Sequence, residues 1–134
     1  MMKAGTSVVF LPCSDIRKTE AFYHGILGFP VAERQSESLL IFDTGCGYWG
    51  FCQYADGRKI LSGPQGVCLS VNLESEAAVT EAYERYREVC PVHRAPERHP
   101  KFPVFSFFLL DPDGCLVEFQ KTGGNMDETP ESGI

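Results

Sequence analysis

Short runs of apolar residues with the two-residue period of a half-buried strand dominate the chain, and twice they give way to a stretch with helical period. Ser7–Leu11 is the first β-rich run and stops at Pro12, which has no amide hydrogen to give a sheet. Ser14 and Asp15 then supply an N-cap, Ile16, Ala21 or Phe22 and Leu27 recur at helical intervals, and Gly28 is a C-cap ahead of Phe29-Pro30. The spacing predicts a helix over 16–27, about three turns long. Three apolar runs follow, over 31–34, 39–42 and 48–53, with Asp43-Thr44-Gly45 closing the second and Asp56-Gly57 the third.

The same order then recurs. A strand is expected over 67–71, and Glu74 or Ser75 caps a helix whose apolar face is Val79, Ala82, Tyr83, Tyr86 and Val89. Pro91 ends that helix. A weak strand is expected near Val92–Arg94 and a strong one over Val104–Leu110, and after the turn Asp111-Pro112-Asp113-Gly114 a last strand over Cys115–Gln120. Aligning Gly47–Gln53 with Gly114–Gln120 places Gly and Gln at the same spacing in both halves. A repeated supersecondary unit buries its sheet face against its twin. The pattern therefore predicts an α+β domain over residues 5–121, made of two βαβββ modules at about 7–56 and 65–121 that form one curved mixed sheet around a cavity. Residues 122–134, rich in Gly, Glu, Asp and Pro, read as a flexible tail.

A chain of 134 residues fits one domain that buries roughly two-thirds of its unfolded surface. Ten Phe residues leave aromatic surface over for lining a pocket. The net charge of -6 argues against nucleic acid or an anionic membrane as a partner and is compatible with a neutral or cationic small ligand. The opening Met1–Gly5 carries one basic residue and leads into Val8–Leu11, too short for a signal peptide or a membrane span, so a cytoplasmic protein is expected. Six cysteines without a CxxC pair read as free thiols, mostly small core residues, and paired Cys or His at zinc-binding spacing is missing.

Ser14-Asp15 ahead of a helix carrying Phe22-Tyr23 and Leu27-Gly28-Phe29 resembles the first-module signature of the glyoxalase/bleomycin-resistance/extradiol-dioxygenase (vicinal oxygen chelate) superfamily. Asp111-Pro112-Asp113-Gly114 followed by Glu118 resembles its second-module signature, and the resemblance spans about residues 7–121. It implies two βαβββ modules curled around a ligand cavity, commonly in a homodimer, with modules paired within a chain or by exchange. It further implies, for catalytic members, one divalent metal held by a His or Glu on each opening strand and a Glu on each closing strand. In this sequence the first of those positions is Val8, its counterpart is Gly66 or Cys68, the closing-strand position of module one is Phe51, and Glu118 alone keeps a donor. One carboxylate falls short of the three protein ligands such sites need, so neither metal nor cofactor is expected. His24, His93 and His99 read as surface residues.

Strand alternation sorts the neighbours of Glu118 into the cleft. Gln120 shares its face, Phe51 takes Trp49 and Gln53 with it, Val8 takes Phe10, and Cys68 faces inward with Ser70. Ser106 and Phe108, ahead of the Asp-Pro-Asp-Gly turn, complete the set. An apolar, aromatic cleft with a few polar groups suits a small-molecule ligand. Each aromatic is equally a candidate for core packing, Cys68 for a core thiol, and the basic stretch Arg94 to Lys101 for a solvated loop or for greeting an anion. Two functions follow: a small-molecule-binding protein of the bleomycin-resistance kind, or a lyase or isomerase using Glu118 as general base or metal ligand.

Overall fold

The computed structural model describes residues 2–63 and 65–123. Module one comprises β1 (Val8–Pro12), α1 (Ile16–Glu20), β2 (Val31–Ser36), β3 (Leu39–Asp43) and β4 (Tyr48–Cys52). Module two comprises β5 (Cys68–Asn72), α2 (Glu76–Tyr86), β6 (Val92–Arg98), β7 (Val104–Leu110) and β8 (Leu116–Thr122). The Asp15 carboxylate caps α1 by accepting from Arg17 N at 3.0 Å, and Ser75 Oγ caps α2 by accepting from Ala78 N at 3.0 Å. The first helix is α-helical for five residues only and continues as a π-helical stretch, Ala21–Ile26, in which Leu27 N donates to Phe22 O at 3.0 Å. Gly28, at φ +82°, ends it as a left-handed C-cap.

The two expected βαβββ modules are present, and each forms its own four-stranded mixed sheet, ordered β1-β4-β3-β2 and β5-β8-β7-β6, with the opening strand of each module at a sheet edge. In both, the opening strand runs parallel to the closing strand and the remaining pairs are antiparallel. Each helix covers one face of its own sheet. Tyr23 stacks on Phe51 in module one, with ring centroids 4.5 Å apart, and Tyr83 and Tyr86 meet Phe107 and Phe119 in module two. Leu40, Phe42, Phe107, Leu109 and Val117 are fully buried in a core that runs through both modules. The other face of each sheet is open.

The two sequence signatures meet across the module boundary. Asp111, buried in the β7–β8 turn, accepts from Tyr23 Oη through Oδ2 at 2.8 Å and from Asp113 N and Cys115 N through Oδ1 at 2.8 and 2.9 Å. Asp113 accepts from both the amide and the hydroxyl of Ser14. Burial raises the Asp111 carboxyl above 3.8 against these bonds, and burial with the neighbouring Asp111 raises the Tyr23 phenol well above 10.0. The paired signatures therefore act as an intermodule clasp.

All six cysteines are free thiols. Burial pushes Cys13 up to about 11 and Cys115 up to about 12, so both are poor nucleophiles. Among the described residues no helix is long and apolar enough to cross a membrane. β8 takes in Thr122, and positions 124–134 of the expected tail lie outside the described residues.

Candidate functional site

Strand pairing defines which side chains share the open faces. Across module two, Arg94 pairs with Phe108, Phe108 with Glu118, and Glu118 with Ser70, giving one row over all four strands. Ser106, Gln120 and Asn72 form part of the next row. The equivalent row in module one is Glu33, Ile41, Gly50 and Phe10.

Glu118 is the centre of the polar contacts. Its Oε1 accepts from Ser70 Oγ at 2.7 Å, and the Cys68 thiol points at the same oxygen from 4.0 Å. Among the described residues Oε2 has no hydrogen-bond partner. Cys68 is an exposed residue whose thiol is partly withdrawn from solvent, which raises it above 9.0; the carboxylate adds to this against the Ser70 hydrogen bond, so a thiolate is disfavoured there. Ser106, 2% exposed, accepts from Arg94 Nη2 at 2.7 Å rather than meeting Glu118. The Arg94 guanidinium lies 4.8 Å from the Phe108 ring centroid. Gln120 Nε2 donates to Asn72 Oδ1 at 2.8 Å.

Cys68, Ser70, Ser106, Phe108, Glu118 and Gln120 thus lie together on the open face of module two, and Phe10 lies on that of module one. Trp49 and Phe51 do not join them. Both are buried beneath the first helix, where Trp49 meets Tyr23 and Phe29 edge-on. Gln53 follows β4 and caps the same helix, accepting from Ile16 N at 2.9 Å. The sequence alignment matched Phe51 to Glu118, whereas the strand register matches Gly50 to Glu118, and a one-residue slip turns every side chain to the opposite face.

That register also tests the metal implied by the resemblance. The module-one positions equivalent to Ser70 and Glu118 are Phe10 and Gly50, and the ring of Phe10 occupies the space a side chain at Gly50 would need. A Cβ there would stand 2.5 Å from Phe10 Cδ1. Val8 and Cys68 lie two pairs further along, opposite Tyr48 and Leu116. Among the described residues no group of three or more His, Cys, Asp or Glu could hold a metal ion. The donor set does not fit the chelate.

His99 Nδ1 accepts from Lys101 N and Phe102 N, His24 Nδ1 contacts Phe29 O, and Arg98 pairs with Glu76 at 2.6 Å, so these residues brace loops and helix ends. Arg94 is the member of the basic stretch that reaches the open face.

Two βαβββ modules, each with a helix on one side of a mixed sheet and an open face on the other, define a glyoxalase-type fold. The chain belongs to the Glyoxalase/Bleomycin resistance protein/Dioxygenase superfamily, whose family model matches residues 6–119. It is similar to the crystal structure of a glyoxalase/bleomycin resistance protein/dioxygenase from Alicyclobacillus acidocaldarius, with a TM-score of 0.75, 16% identity and coverage of 93% of this chain and 96% of that one. A glyoxalase/bleomycin resistance protein/dioxygenase from Nocardioides gives a TM-score of 0.73 at 20% identity, covering 97% and 92%. Lactoylglutathione lyase from Agrobacterium tumefaciens gives 0.70 at 19% identity, covering 89% and 94%. At these identities the likeness establishes the fold alone. No curated protein matches the sequence.

Proposed function

We propose that this protein binds a small molecule on the open face of module two, with Glu118 as the polar anchor and without a metal ion. The observation that carries the reading is the carboxylate itself, oriented through Oε1 by Ser70 while Oε2 is left for a ligand. Phe108 and the Arg94 guanidinium stand beside it, the mixture of apolar surface and a few placed polar groups that ligand sites use. Superfamily membership supports small-molecule binding in general.

The working form in this proposal is a cytoplasmic homodimer. Val8, Val9 and Phe10 are all exposed on the edge strand β1, an apolar edge that a second copy would cover. Module one also offers a hollow of about 320 Å³ lined by Val8, Ile41, Tyr48 and Glu33 among others, which such an arrangement could bring to the ligand.

A thermal-shift screen of aromatic amines and glycopeptides tests the reading. A ligand present at about 100 times its Kd stabilises the fold by about 2.7 kcal/mol. At least one saturable shift is expected, reduced in Glu118→Gln, which keeps the shape and loses the charge. A flat response across the screen, or equal shifts in both proteins, would remove Glu118 as the anchor. Oε2, without a hydrogen-bond partner among the described residues, also favours a second reading, a lyase or isomerase with Glu118 as general base. Retained binding with lost turnover in Glu118→Gln would decide for that one.

A further inference from the structure

We propose that the ligand is zwitterionic, its anionic group held by Arg94 and its ammonium by Glu118, across Phe108. The inference rests on the binding role proposed above and adds the chemical class.

Arg94 owes its position to a β-bulge. Val92 pairs with Leu109, a core residue, so unbroken alternation would send Arg94 to the helix side as well. Instead Arg94 pairs with Phe108, one residue along β7 for two along β6, and the side chain is turned onto the open face. A bulge at the equivalent place in module one, between Val31 and Glu33, serves an acidic residue there. The positive charge is therefore particular to the face that carries Glu118.

The guanidinium is held and incompletely satisfied. Its side chain is 27% exposed, Nη2 donates to the buried Ser106 hydroxyl, and Phe108 underlies it. Nη1 lies 2.9 Å from Glu97 Oε1 in an ion pair without hydrogen-bond geometry, and this shielded nitrogen has no acceptor among the described residues. A buried N–H without an acceptor is uncommon, and it leaves this guanidinium with hydrogen-bonding capacity that its protein partners do not use up.

Arg94 and Glu118 stand two strand spacings apart, about 10 Å between backbones. They do not form an ion pair with one another: Arg94 turns to Ser106 and Glu97, and Glu118 to Ser70. A purely cationic ligand on Glu118 would be repelled by Arg94, and a purely anionic one on Arg94 by Glu118. A molecule with both charges and an apolar body is complementary to the row as a whole, and a guanidinium presents the planar fork that suits a carboxylate.

Calorimetric titration of the full-length protein with L-phenylalanine, phenethylamine and 3-phenylpropionate separates the two charges. L-phenylalanine should bind at least tenfold more tightly than either single-charge probe. Arg94→Gln should bring it level with phenethylamine, and Glu118→Gln should bring it level with 3-phenylpropionate. Arg94→Lys, which keeps the charge and loses the fork, should fall between Arg94→Gln and wild type, and circular dichroism spectra with a single cooperative melt, as in wild type, would show that the variants are folded. Phenethylamine binding as tightly as L-phenylalanine, with no effect of Arg94→Gln, would overturn the zwitterion while leaving Glu118 as the anchor. No binding of any of the three probes would overturn the zwitterion, and the screen with amines and glycopeptides then reads the binding role separately.

Discussion

Replacing Tyr23 with Phe removes one oxygen from the interior and with it the hydrogen bond that closes the two modules on each other. The ring can stay where it is, fully buried and stacked on Phe51 at 4.5 Å, so packing is conserved and the hydroxyl is isolated as the variable. Its bond to Asp111 Oδ2 is 2.8 Å long. A hydrogen bond to a charged group contributes about 1.5–3 kcal/mol. Asp111 keeps two backbone donors on Oδ1, from Asp113 and Cys115, so it is not orphaned and a loss near 2 kcal/mol is expected, within that range. For a chain of this size that corresponds to a fall in Tm of roughly 6–10 °C. Urea denaturation followed by circular dichroism should show a lower midpoint with an unchanged m-value, since the surface exposed on unfolding is the same. In a double-mutant cycle with Asp111→Asn, the two substitutions should couple. A loss below about 0.5 kcal/mol, or additive effects in the cycle, would refute the clasp.

Two further substitutions test neighbouring parts of the structure. Because burial is the main cause raising the Asp111 carboxyl above 3.8, the folded state holds its proton more tightly than the unfolded state. Its contribution to stability is thus complete below about 3.8 and is lost as pH rises through the higher folded value. Urea melts across that range should therefore show wild type gaining on Asp111→Asn as the solution is acidified, and a change in the other direction would contradict the cause assigned. At Gly50, an alanine Cβ would press on the Phe10 ring, which is 46% exposed and free to swing aside. Gly50→Ala is expected to cost under about 1 kcal/mol, and that cost should disappear when Phe10 is also Ala.

Much of this architecture is visible in the alternation of apolar residues. Leu40 and Phe42 in β3, and Phe107 and Leu109 in β7, mark helix-facing positions because their strands are regular. The caps Asp15, Ser75 and Gly28 are local, set by side chains and backbone within a few residues. What the sequence conceals depends on register or on distant contacts. The repeat aligned Phe51 with Glu118 through flanking Gly and Gln, and only the parallel pairing of β1 with β4 and β5 with β8 shows the offset of one residue. Arg94 is hidden by the bulge beside it, since alternation from Val92 points it the wrong way. Nothing local announces that Ser14 will meet Asp113, or Tyr23 will meet Asp111, across 99 and 88 residues of chain.

The central proposal is a ligand site built on Glu118 that works without a metal ion, and metal content tests it most directly. Elemental analysis of protein purified without an affinity tag should be paired with thermal melts in EDTA and in Zn, Ni, Mn and Fe(II). With Phe10 and Gly50 in place of two donors, metal should be far below one equivalent and neither EDTA nor added ions should shift the Tm. Stoichiometric metal with a large loss of stability in EDTA would contradict it and make this protein a chelate-type metalloprotein.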